Sequence, residues 1–133
     1  MQYAVEKGLN AYLQANVALN ALVNHRIANE FADKLDKPYL VFMLNAGHDT
    51  NAQERDQGEF RYAIKGVATE LRTAALIAQA LRTALHQQTF AVDAPFKVYR
   101  VEHKTFISYV EKVDNTQIFH RGGIFKIRVS EEF

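Results

Sequence analysis

His48, Asp49, Glu54 and Asp56 fall within nine residues and form the most suggestive cluster of acid–base and metal-ligating side chains in the sequence. Carboxylates and an imidazole so close together can hold a divalent cation or work as an acid/base pair. Their glycines and acids do not match an EF-hand loop, and a solvated interaction loop is the better reading of the stretch. The other histidines, His25, His86, His103 and His120, lack the i, i+4 pairing or Cys/His grouping of a metal site and read as surface or capping residues. Ser108 and Ser130 lie in strand-like runs with no obvious base nearby, so nucleophilic catalysis has no foothold. No Gly-x-Ser-x-Gly, P-loop or dinucleotide fingerprint occurs, and Gly122-Gly123 lacks the following helix that phosphate binding needs. No enzyme activity, cofactor or metal site is expected.

Composition narrows the partners. At 133 residues and 48% hydrophobic content, the chain suits one compact domain, residues 1–133, with its own core. There is no cysteine, so burial and not disulfides must hold it together. No segment is long and apolar enough for a membrane span, and the first residues resemble no signal peptide, so a soluble cytosolic product is expected. Sixteen basic and fifteen acidic residues nearly cancel; Met1–Gly66 holds 7 basic and 8 acidic, the remainder 9 and 7. Tight DNA binding, which needs clustered Lys and Arg, is therefore not expected.

The elements that position these residues follow from periodicity. Val5, Leu9, Tyr12 and Leu13 recur at helical spacing, and Asn16 can cap a second short helix or a kinked continuation to about Asn24. A connecting loop is expected from His25 to Lys37. Tyr39–Leu44 is an apolar run of strand length, Ala46–Gln57 reads as a long polar loop, and Phe60, Tyr62 and Ile64 alternate as a half-buried strand. An antiparallel hairpin is the result. Thr69 is the expected cap of a helix running to about Gln87, whose apolar arc holds Leu71, Ala74, Ala75, Ile77, Ala78, Leu81 and Leu85. Leu76 falls outside that arc and must be covered by the N-terminal helix or by another subunit. Beyond a turn at Asp93-Ala94-Pro95, strands are expected at Phe96–Val101 and Phe106–Val113, a turn at Asp114-Asn115, and a last strand from near Ile118 with a bulge or bend at Gly122-Gly123. The layout is α+β: a two-layer sandwich of about four antiparallel strands with two main helices on one face.

In order and pattern these segments resemble a known family. Ala21–Ile27, Lys37–Phe42, Phe60–Ile64, the Ala-rich helix through Ala84-Leu85, and Ile118–Arg121 with Phe125–Val129 together are similar to the tail-completion, or tail-terminator, proteins of long-tailed phages. Phe106–Val110 reads as strand where members of that family often look loop-like. The resemblance implies a non-enzymatic virion protein, assembled in the host cytoplasm. It would form a homo-oligomeric ring, typically a hexamer, that caps the tail tube, stops tail polymerisation and joins the tail to the head connector, with DNA passing through its lumen without tight binding. On that reading Asp49, Glu54, Arg55 and Asp56 contact the tube protein or line the lumen, and Arg72, Leu76 and Thr83 contribute to a subunit interface. A head-side neck adaptor of similar size is the nearest alternative. A small enzyme or metal-binding domain using residues 48–56 is the more distant one.

Overall fold

The computed structural model describes residues 1–30, 35–52 and 55–132, and at 48–52 and 55–56 the backbone alone. Helix α1 (Gln2–Ala15) sets Val5, Leu9 and Leu13 one above another, all fully buried. It stops at Asn16, whose backbone is extended and whose side-chain oxygen accepts from Leu19 N at 2.9 Å, capping α2 (Val17–Val23) as the sequence predicts. The break is held from inside. Asn20 Nδ2 donates to the carbonyls of Leu13, Gln14 and Asn16 at 2.8 to 2.9 Å, tying the end of α1 to the start of α2; the Leu13 and Asn16 carbonyls also accept the backbone N–H groups of Asn16 and Asn20.

Past the left-handed pair Asn24 and His25, the expected connecting loop contains strand β1 (Ile27–Asn29), which runs parallel to β2 in the register Ile27↔Leu40 to Asn29↔Phe42. The polar loop expected at 46–57 is also corrected. Strands β2 (Tyr39–Ala52) and β3 (Arg55–Ala68) carry the ladder from Tyr39↔Val67 out to Ala52↔Arg55, with one irregularity at Asn45. β1 pairs only with Leu40–Phe42 of β2, and the outer part of this hairpin carries no apolar alternation in its sequence.

Helix α3 (Leu71–Leu85) starts after Glu70, which occupies the cap position without a side-chain bond, in place of the expected Thr69. It ends at His86, earlier than Gln87, because Gln87 takes a positive φ and donates its N–H to Val101 O at 2.8 Å. Strands β4 (Phe96–Val113) and β5 (Thr116–Glu131) form a long hairpin through Asp114 and Asn115, both left-handed as a tight hairpin turn demands. The two runs expected in this region are one continuous strand. The irregularities lie in β4, at Tyr99 and Lys104, and not at Gly122-Gly123. Those glycines serve close approach instead: a Cβ on Gly122 would lie 2.0 Å from Ile64 O, and one on Gly123 2.5 Å from the His103 ring.

Among the described residues the result is an α+β fold with five strands, where about four were expected, in the order β1-β2-β3-β5-β4, and with two longer helices, α1 and α3, and the short α2 that Asn16 caps. β1 makes the sheet mixed; the other neighbours are antiparallel. One side of the sheet, marked by Phe42, Tyr62, Ile64, Phe125 and Ile127, meets the buried faces of α1 and α3 in one core. Gly66 lets α3 sit close, since a Cβ there would be 2.3 Å from Ile77 Cγ2. Tyr62 Oη donates to Glu6 Oε2 at 3.1 Å, and Asn29 Nδ2 donates to the other carboxylate oxygen at 2.7 Å, joining α1 to β3 and β1. Burial beside the Glu6 carboxylate pushes the Tyr62 phenol far above its usual range.

Candidate assembly interface

The way α3 is seated decides what the surface offers. Its buried stripe is Ala74, Ile77, Leu81, Ala84 and Leu85, narrower than the expected arc. Leu71 stays 48% exposed, Ala75 is exposed and Ala78 is half-buried. Contact with Gly66 fixes the rotation of the helix about Ile77 and turns Ala75 and Ala78 toward β4 and β5. The outer ridge of α3, including Gln79 and Thr83, then stands between two grooves.

The first groove, of about 650 Å³, lies between α3 and the β4–β5 hairpin. Ala75 and Ala78 form part of one wall, and Phe106, 74% exposed, stands on the other with Ser108. Arg82, His86, His103 and Arg121 also line it, and no acidic side chain among the described residues does. His86 Nδ1 accepts the backbone N–H of His103 at 3.1 Å, which leaves its ring proton for Nε2. His103 packs its ring against Phe106 and Phe125, with centroids 4.6 and 5.2 Å away. Burial, then the nearby charge of Arg82 and then His86, hold its pKa below the ordinary value. Arg121 Nε is buried with no hydrogen-bond partner among the described residues.

The second groove, of about 670 Å³, separates α3 from α1 and α2 and is mostly apolar, with Tyr12, Leu22, Leu76 and Ala80 on its walls. Tyr12 Oη donates to Ala84 O at 2.6 Å and closes one end. Leu76 remains 40% exposed, so the N-terminal helices flank it without covering it. Of the three residues expected at a subunit interface, Leu76 and Thr83 line this groove, and Thr83 also lines the first. Arg72, exposed on the first turn of α3, lines neither.

The residues expected at the tube or lumen fall at the end of the β2–β3 hairpin. The backbone pairs Asp49 with Gly58, Asn51 with Asp56 and Ala52 with Arg55, while Glu54 lies outside the described residues. Among the described residues no three His, Asp or Glu groups converge on a metal-sized site. The far side of the sheet carries ion pairs such as Lys126–Glu59 at 2.9 Å and Arg100–Glu102 at 3.0 Å. It also carries a cluster that sequence reasoning missed. Buried His120 stacks on Tyr109 at 4.3 Å and contacts Glu111 Oε1 at 3.1 Å, while Lys65 Nζ donates to Tyr109 Oη. Only the register Tyr109↔His120 brings the two rings together, and nothing in the spacing of single residues signals it.

Residues 7–119 match the family described as Tail completion protein gp17. No curated protein matches the chain. Among solved structures, a chain from the "Virion of native gene transfer agent (GTA) particle" has the same fold, with a TM-score of 0.70 and 19% identity over 96% of this chain and 98% of that one.

Proposed function

Because the chain belongs to the tail completion protein gp17 family, we propose that this structural tail protein of a virion acts as a non-enzymatic ring subunit. The ring, a hexamer by analogy with the resemblance described above, caps the finished tail tube, stops its polymerisation and presents the next surface to the head connector. The family match over residues 7–119 carries this reading. The shared fold with a protein of a gene transfer agent virion supports it, as do the two surface grooves that flank α3. A monomer gains nothing from leaving Leu76 and Phe106 at 40% and 74% exposure, whereas a ring subunit buries such surface against its neighbours. Leu76 and Thr83 belong to that subunit contact.

The test is electron microscopy of particles lacking the protein, with the mass of the purified chain in solution. Unattached heads beside tails of abnormal length, and a ring-sized species at high concentration or on tubes, are expected. Tails of normal length would move the protein to the head side of the neck. A chain that stays monomeric and ignores tubes would refute the ring.

A further inference from the structure

The fold places oppositely charged features at separate corners of one subunit. The groove between α3 and β4–β5 gathers Arg82, His86, His103 and Arg121, with no acidic side chain among the described residues that line it. Among the described residues neither guanidinium has a carboxylate partner: the ion pairs formed are those of Lys7, Arg100, Lys104, His120, Lys126 and Arg128. Arg121 Nε is buried without a partner as well. Arg82 is exposed and Arg121 half-buried; cations sharing one concavity repel each other, and an anionic occupant relieves that repulsion and can satisfy the buried Arg121 Nε.

The complementary charge lies on the same chain. Residues 49–56 carry Asp49, Glu54 and Asp56 against one cation, Arg55. The backbone ladder there runs on to Ala52↔Arg55, past Gln57↔Ser130, the last rung that β3 shares with β5. The hairpin end therefore stands clear of the sheet. From Arg55 to Gly66, the β3 residue paired with Arg121, is eleven positions, or roughly 35 Å at about 3.3 Å each. No subunit can place its own hairpin end in its own groove. Complementary surfaces that do not overlap make a heterologous contact, the kind that closes rings.

We propose that the groove of one subunit, with Arg82 and Arg121, receives the net acidic β2–β3 hairpin end of the next copy, and that this contact repeats around the ring. The proposal rests on the ring reading above. It assigns to the neighbouring subunit a segment that the family resemblance points toward the tube. Because the contact joins charge to charge, its strength falls with salt, and it sets register and partner choice as well as affinity.

The experiment uses the full chain and two charge reversals, Arg82→Glu with Arg121→Glu and Asp49→Lys with Asp56→Lys, read by light scattering across a concentration series. Wild type is expected to form rings, and each variant alone to need at least tenfold more protein to do so. An equimolar mixture of the two is expected to regain ring mass, because every reversed hairpin then meets a groove of opposite sign. Unfolded variants cannot produce that rescue. Rings formed equally well by wild type and both variants would overturn the docking while leaving the ring intact. So would failure of the mixture, or a groove variant that forms rings but cannot join tails, which would give the groove to an acidic segment of another virion protein. A wild type that stays monomeric would overturn the ring reading and the docking with it.

Discussion

Replacing Gly66 with Ala tests how the helical layer is spaced from the sheet. The added Cβ would lie 2.3 Å from Ile77 Cγ2, 2.7 Å from its Cβ and 3.0 Å from its Cδ1. Ordinary carbon contacts begin near ~3.5 Å, so about 1 Å must be found. A β-branched side chain in a helix has one strongly preferred χ1 rotamer, so Ile77 cannot swing away, and α3 has to retreat as a body. That retreat loosens Ala74, Leu81 and Leu85, all fully buried. Overpacking of this kind costs about 3 kcal/mol, offset by up to ~1 kcal/mol from the stiffer unfolded chain. A net loss of about 2 to 3 kcal/mol lowers the melting temperature by roughly 10 °C in a domain of this size. Ile77→Ala alone costs about 3 to 4 kcal/mol by leaving a cavity. The double variant is expected to fall short of the sum by more than ~1 kcal/mol, since the new methyl enters space that the old side chain has vacated. Urea unfolding of the four proteins measures this coupling. Additivity within ~0.5 kcal/mol would refute the claim that Gly66 and Ile77 set the spacing.

Other substitutions probe the remaining joints. Gly122→Ala drives a Cβ to 2.0 Å from Ile64 O and 2.5 Å from Lys65 Cα, both backbone atoms; the variant should fail to give a cooperative melt by circular dichroism, and a native-like melt would show that β3 and β5 can separate freely. Asn20→Asp keeps the shape but removes the donor shared by the carbonyls of Leu13, Gln14 and Asn16, and a cost of about 2 kcal/mol in urea is expected. Stability should also depend on pH through His120 and His103. Burial is the main cause of the lowered pKa at both, opposed at His120 by Glu111 and reinforced at His103 by Arg82 and His86. The folded chain therefore takes up these protons less readily than the unfolded one. Their contribution is complete above the ordinary value of 6.5 and is lost as pH falls below it. Urea midpoints at pH 7.5 and 5.5 should differ less in the double variant His103→Gln, His120→Gln than in wild type, and an equal difference in both would contradict the assignment.

The helices and the strand interiors were legible in the sequence because each buries one face. Val5, Leu9 and Leu13 on α1, and Phe60, Tyr62 and Ile64 on β3, announce themselves by period. Asn16 and Asp114-Asn115 did so by side-chain chemistry and backbone preference. What stayed hidden depends on neighbours. β1 is three residues long and owes its existence to the exposed edge of β2. The outer β2–β3 ladder has no apolar pattern to read. The rotation of α3 is set by a glycine on another element. The basic groove was invisible for a related reason: charges that alternate and cancel along the chain are sorted by the fold, so that Arg82 and Arg121, thirty-nine positions apart, line one concavity. A local count of charges cannot see that sorting.

The last strand in chain order, β5, lies in the interior of the sheet. In the order β1-β2-β3-β5-β4, β5 supplies hydrogen bonds to β3 on one side and β4 on the other. Until β5 is in place, β3 keeps a bare edge and β4 has no partner. A chain folding from its N-terminal side therefore holds β1, β2 and β3 with one open edge until β5 joins β3 to β4. A chain cut before Gly122 loses most of β5, and with it the centre of the sheet that joins β3 to β4.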